Sequence, residues 1–183
     1  HPLARSEWIK VIAALVDKEK EAEAFFNKVA QEYEALTAMT KTLEHRPTVF
    51  SNAPYAGVWH VPGGASYNAR AFADAGANYL WASNDSSGGV PLDFEVILHK
   101  AADADVWLNP GAYKSKAALM ALDSRFTGFK AFREGNVFNN SLRVNEHGGN
   151  DIWERGINHP EEVLADLIKV FHPDLLPDHQ FIY

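Results

Sequence analysis

The stretch "PTVFSNAPYAGVWHVPGGASYNARAFADAGANYLW", Pro47 to Trp81, decides the fold. It opens on a short β-rich run, Thr48–Ser51, and closes on another, Asn78–Trp81. Between them a glycine-rich, aromatic segment, Tyr55–Asn68, leads into a helical pattern over Tyr67–Ala75. The alternation then repeats. Helical segments over Leu92–Ala102 and Ser115–Leu122 separate further strand candidates at Asp105–Asn109 and Asn136–Asn140, and a last helix covers Pro160–Phe171. Strands and helices that alternate at this spacing predict an α/β fold, a mostly parallel sheet flanked by helices in three layers. Pro160, Glu161 and Glu162 make a favourable first turn, with proline at the helix start and carboxylates at its positive end.

Ahead of this body, Ser6 to about Leu36 contains no glycine or proline. Trp8, Ile12, Leu15, Ala22, Phe26, Val29, Tyr33 and Leu36 recur at steps of three and four, the signature of one amphipathic helix. About thirty residues at 1.5 Å each would reach roughly 45 Å, longer than a small domain is wide. Such a helix either packs along its own domain or runs past it as a strut.

Length and composition exclude several classes. A chain of 183 residues, 46% apolar and 22% charged, is an ordinary globular one,. A formal charge of −7 and the lack of any Lys/Arg cluster argue against a nucleic-acid partner,. With no cysteine, disulfides, thiolate catalysis and zinc–cysteine sites are excluded,. G-x-S-x-G, a phosphate-binding loop and a dinucleotide fingerprint are all missing, so no catalytic class is indicated.

In a parallel sheet, ligands gather beyond the carboxyl ends of the strands. Four segments reach that edge: Tyr55–Asn68, Trp81–Pro91, Asn109–Ser115 and Asn140–Trp153. Each is rich in Gly, Asn or Ser and holds or borders an aromatic residue. Tyr and Trp offer flat, rigid contact area with a polar tip, suited to a bulky and partly apolar organic ligand. Candidate ligand-binding residues are therefore Tyr55, Trp59, His60, Tyr67, Trp81, Asn84, Asp85 and Tyr113. Trp59 has a second reading, in which its ring folds back onto the sheet. His60 and His147, completed by Asp85 or Asp151, form an alternative metal-binding set, although no HxH or HExxH spacing supports it,. Arg143 is the one arginine in these loops, with Arg70 a turn into the following helix, so an anionic ligand would find little matching charge here,.

The run Pro47–Trp81, the run "GGVPLDFEVILHKAADADVWLNPG" (Gly88–Gly111) and the closing run "GGNDIWERGINHPEEVLADLIKVFHPDLLPDHQFIY" (Gly148–Tyr183) together resemble class III periplasmic solute-binding proteins of ABC importers. That family collects ferric siderophores, haem or cobalamin between two α/β lobes joined by a long helix. The resemblance implies a linking helix over residues 1–42 and a C-terminal lobe over 43–183, with the N-terminal lobe outside this chain. It implies a non-enzymatic role: capture of an iron chelate or metal–tetrapyrrole, with no cofactor of its own. The expected partner is an inner-membrane ABC permease and the expected state monomeric, in the periplasm or lipid-anchored at the cell envelope. Trp59, His60 and Tyr67 would stand on the cleft wall beside the Trp81–Asp85 loop. The carboxylate with which family members meet the permease has no counterpart in "GGASYN", and Asp74 and Asp85 are substitutes for it. A lobe of a metal-dependent hydrolase is the alternative from another class.

Overall fold

The computed structural model describes residues 1–111, 113 and 115–183. It divides into two compact units, residues 45–73 with 77–141, and residues 1–44 with 74–76 and 142–183.

The first of these units holds the parallel sheet. Strands β1 (Thr48–Ser51), β4 (Asn78–Tyr79), β6 (Val106–Leu108) and β7 (Val137–Phe138) lie in the order β4-β1-β6-β7, every pairing parallel. Helices α4 (Tyr67–Asp74), α5 (Phe94–Ala101), α6 (Lys116–Leu122) and α7 (Lys130–Glu134) supply the crossovers. Burial of β1 and β6 explains their apolar runs, since a parallel strand is covered on both faces,. At the amino edge Asp105 joins β1 to β6. Its carboxylate accepts from the Thr48 N–H at 2.8 Å, the Thr48 hydroxyl at 2.7 Å and Lys130 Nζ at 2.8 Å.

The Tyr55–Asn68 segment is more ordered than a loop. Strands β2 (Pro54–Tyr55), β3 (Val58–Pro62) and β5 (Gly89–Leu92) form a second, antiparallel sheet in the order β2-β3-β5. Ala56 (φ 50°) and Gly57 (φ 83°) turn β2 into β3, both in the left-handed region that a two-residue hairpin needs,. Alanine is rare in that conformation, so the sequence carries no strong hairpin signal. Between the sheets lies an aromatic core. Phe50 stacks on Trp107 at 5.3 Å between ring centroids, Trp59 lies 5.7 Å from Trp107, and Phe126 meets Trp107 edge-on at 5.0 Å.

In the other unit the unbroken helix expected over Ser6–Leu36 is replaced by α1 (Pro2–Ser6), α2 (Ile9–Ala14) and α3 (Glu19–Thr40). The break falls at Asp17, whose φ of 55° is left-handed, with the Lys18 N–H donating across it to the Ala13 carbonyl at 2.9 Å. This is a Schellman-type cap, and Asp tolerates the conformation better than most residues. The chain reverses there, and α2 lies back along α3 with Lys10 Nζ 3.9 Å from the Phe26 ring centroid. The long helix is thus α3 alone, 22 residues and about 33 Å,. The predicted apolar stripe divides accordingly: Ala22, Val29 and Tyr33 are buried, whereas Trp8, Ile12 and Leu15 are exposed.

Beyond a short helix α8 (Arg155–Asn158), helix α9 (Pro160–Phe171) packs against α3 and starts, as expected, at Pro160 with Glu161 and Glu162 in its first turn. The tail is fastened to it at two points. Lys169 Nζ donates to the carbonyls of Leu176 and Pro177 at 2.9 and 3.0 Å. Buried Asp166 accepts the Ile182 N–H at 3.1 Å and the Tyr183 N–H at 2.8 Å, and meets His179 Nε2 at 2.7 Å.

Candidate functional site

Strand alternation sorts the aromatic segment into two faces. Trp59 and Val61 have no accessible surface, while His60 between them is exposed. Cross-strand partners share a face, so His60 stands with Pro91, and Tyr55 with Val58, on the outer side of the antiparallel sheet,. Tyr55 is 82% exposed.

The sheet bearing this outer face is tied firmly to the parallel one. Asn52, just beyond β1, is left-handed (φ 67°), accepts the Trp107 indole N–H on its carbonyl at 2.6 Å and donates from Nδ2 to the His60 carbonyl at 2.6 Å. The Tyr79 hydroxyl donates to the Pro62 carbonyl at 2.6 Å, and the Trp59 indole donates to the Ser51 carbonyl at 2.9 Å. Burial pushes the Tyr79 phenol well above its usual range, so at neutral pH it remains a neutral donor.

Beyond β3 the first and second carboxyl-edge segments join. Gly63 donates to the Gly88 carbonyl at 2.8 Å and Ala65 to the Ser86 carbonyl at 3.0 Å. Gly64 is required here, because a Cβ on it would overlap the carbonyls of Ala82 and Asn84,. Asn84 is half-buried and accepts the Ser86 N–H on Oδ1 at 2.8 Å, shaping its own turn,. Asp85 is exposed. Tyr67, the first residue of α4, is half-buried and follows Ser66, whose hydroxyl accepts the Ala69 N–H at 3.2 Å. In the third segment Ala112 and Lys114 lie outside the described residues. Tyr113 is half-buried there, and its carbonyl lies 3.4 Å from Asn139 Nδ2.

Several expectations are corrected by this geometry. Trp59 cannot serve as a cleft wall: its ring is wholly within the aromatic core, and adding further protein only buries a residue more. Trp81 is also buried, 7% exposed, its ring 6.0 Å from that of Tyr79 with Lys100 Nζ over it at 5.2 Å. Asp74 cannot meet a partner protein, being 6% exposed and bonded to the Tyr33 hydroxyl at 2.8 Å. The fourth segment belongs from Leu142 onward to the other compact unit. There His147 sits exposed in a turn built by Asn145, with Glu146 at 3.4 Å, and Asp151 is paired with Arg143 at 2.7 Å. Among the described residues, the one group of three potential metal ligands is His159, Glu161 and Glu162, and it contains neither His60 nor His147.

Asn52, Tyr79 and Asn139 were not anticipated as part of this edge. The readable signal is an Asn directly after a β-run, a residue that accepts left-handed backbone, and Asn109 (φ 52°) repeats it after β6,.

The family model described as "Periplasmic binding protein" matches residues 3–140. The chain belongs to that family. This is the family the sequence resembled. The protein is 31% identical over 176 residues to an uncharacterized lipoprotein of Methanocaldococcus jannaschii, the match covering 94% of this chain and 40% of the relative. A second lipoprotein of that organism is 26% identical over 181 residues, with 94% and 44% covered. The periplasmic binding protein chain thus spans less than half the length of either relative. Among solved structures, the TroA-like periplasmic binding protein FepB from Veillonella parvula superposes with a TM-score of 0.71 at 18% identity, covering 98% of this chain and 55% of that one. The periplasmic haem-binding protein RhuT from Roseiflexus sp. RS-1 gives 0.70 at 18% identity, covering 92% and 62%. At such identities the likeness establishes the fold.

Proposed function

We propose that this periplasmic binding protein is part of the solute-capturing component of an ABC importer and works by binding rather than chemistry. The solute is a bulky metal chelate, a ferric siderophore, haem or a cobalamin-like molecule, held against the outer face of the β2-β3-β5 sheet. The observation that carries this reading is that exposed Tyr55 and exposed His60, paired with Val58 and Pro91 respectively, stand on one braced face. A sheet whose backbone is braced by these four hydrogen bonds has little backbone freedom to lose on binding, which favours a preformed site,. Asn84, Asp85, Tyr67 and Tyr113 are the polar rim in this reading.

Haem binding by one structural neighbour, and the lipoprotein nature of the relatives, support capture of such a ligand at the cell envelope by a lipid-anchored or periplasmic protein. An inner-membrane permease is the corresponding partner, with Asp85 the remaining acidic candidate for contacting it. The capturing protein acts as a monomer.

Titration with haemin, a ferric trihydroxamate and cyanocobalamin, each followed by quenching of tryptophan fluorescence, tests the proposal. Saturable binding of one class, weakened at least tenfold by both Tyr55→Ala and His60→Ala, is the expected result. Binding of none of the three, or binding indifferent to both substitutions, would refute it.

A further inference from the structure

The start of α9 brings three potential metal ligands together. His159 immediately precedes the helix, and Glu161 and Glu162 lie in its first turn. His159 Nδ1 is 2.8 Å from Glu161 Oε1 and 3.9 Å from Glu162 Oε1. Two atoms that each bind one ion at about 2.1 Å are at most about 4.2 Å apart; both His159 separations fall within that limit, and all three ligand atoms lie within 4.8 Å of one another, so a small side-chain adjustment closes the set.

Ordinary helix chemistry explains only part of this group. Carboxylates in a first turn complement the helix dipole. Glu162 is also satisfied by its neighbours: Arg155 Nε donates to Oε2 at 2.9 Å, the Tyr183 hydroxyl to Oε2 at 2.8 Å, and a second Arg155 nitrogen to Oε1. Glu161 is not. Its side chain is 8% exposed, and Oε2 is buried without any hydrogen-bond partner. A carboxylate oxygen sealed from water and left unpaired is costly, so the folded chain bears a cost that helix capping does not repay.

A cation shared by both Glu161 oxygens, Oε1 beside His159 and the unpaired Oε2, would remove that cost,. Arg155 and Tyr183 hold the Glu162 carboxylate in place, as outer hydrogen-bond partners do for metal ligands. The Phe25 ring meets His159 edge-on at 5.2 Å, which fixes the imidazole plane. A pocket of about 360 Å³ reaches the two carboxylates, Glu161 and Glu162, with Glu32 and His179 also on its wall. One imidazole with two carboxylates is a borderline N/O set, unlike the all-oxygen cages of calcium.

We propose that His159, Glu161 and Glu162 bind a divalent first-row transition ion, with Zn²⁺ the best match to this ligand set. The site lies within one compact unit and is separate from the chelate-binding face, so it stands or falls independently of the function proposed above.

Calorimetric titration of the metal-free full chain with Zn²⁺ tests it. One saturable equivalent is expected, with affinity reduced at least tenfold by Glu161→Gln and by His159→Gln and unchanged by His147→Gln. A measurement on the unmodified protein guards against misfolded variants: Zn²⁺ should shift the imidazole NMR signals of His159 before those of the other histidines. No saturable binding, binding indifferent to both substitutions, or first shifts at another histidine would overturn the proposal.

Discussion

Trp59 and His60 are neighbours on β3 and face opposite ways: the indole is fully buried and bonded to the Ser51 carbonyl at 2.9 Å, while the imidazole is exposed. Side chains alternate along a strand, so only one of the pair could have faced a ligand. Trp59→Ala should therefore cost about 3–5 kcal/mol of stability, the range for emptying a large core side chain. Tyr55→Ala should stay within about 0.5 kcal/mol of the parent, as a surface change does. Urea unfolding of the three proteins measures the contrast, and a small effect of Trp59→Ala would remove the indole from the core.

The hairpin at Ala56-Gly57 is strained at its first position, since alanine sits at φ 50°. Ala56→Asn relieves this with a residue that accepts left-handed backbone and should stabilise the protein by about 0.5–1 kcal/mol. Thermal unfolding would show it as a raised Tm.

Gly64 and Gly57 separate two costs of replacing glycine. A Cβ on Gly64 overlaps backbone carbonyls of Ala82 and Asn84, whereas one on Gly57 meets nothing within 4 Å but sits at φ 83°. Gly64→Ala should cost about 3 kcal/mol, from forced backbone shifts. Gly57→Ala should cost about 1–2 kcal/mol, the conformational penalty alone. The order of the two midpoints in denaturant is the test.

Burial raises the proton affinity of Asp105, but bonds from Lys130 and Thr48 outweigh it and hold its pKa at about 2. The unfolded carboxyl titrates near 3.9, so the folded state binds this proton less tightly. Its stabilising contribution is then complete above about pH 4 and fades as the pH falls toward about 2. Asp105→Asn should be less stable than the parent at pH 7, and the gap should narrow in acid unfolding between about pH 4 and pH 2.

Asp166 anchors the tail through two backbone N–H groups and His179. Asp166→Ala leaves those donors without their charged acceptor and should cost about 2–3 kcal/mol. Limited proteolysis should then cut between Leu175 and Gln180 faster than in the parent.

What the sequence determined by itself is the order and type of the main elements. Alternating β-rich and helical runs at Thr48, Tyr67, Asn78, Leu92, Asp105 and Pro160 placed a parallel sheet and its helices within a residue or two, because local propensity and buried-strand composition agree there,. Tertiary structure decided the rest. The antiparallel sheet rests on an Ala-Gly turn with weak local preference, and its partner strand Gly89–Leu92 is distant in sequence. The reversal at Asp17 hides in a run of good helix formers, where one left-handed residue outweighs periodicity. Whether Trp59 or His60 turned outward depended on which face met Phe50 and Trp107, and a run of residues does not carry that information. His159, Glu161 and Glu162 were legible as a helix start. Only packing against Arg155, Tyr183 and Phe25 made them a site, because only burial leaves a carboxylate oxygen in want of a partner.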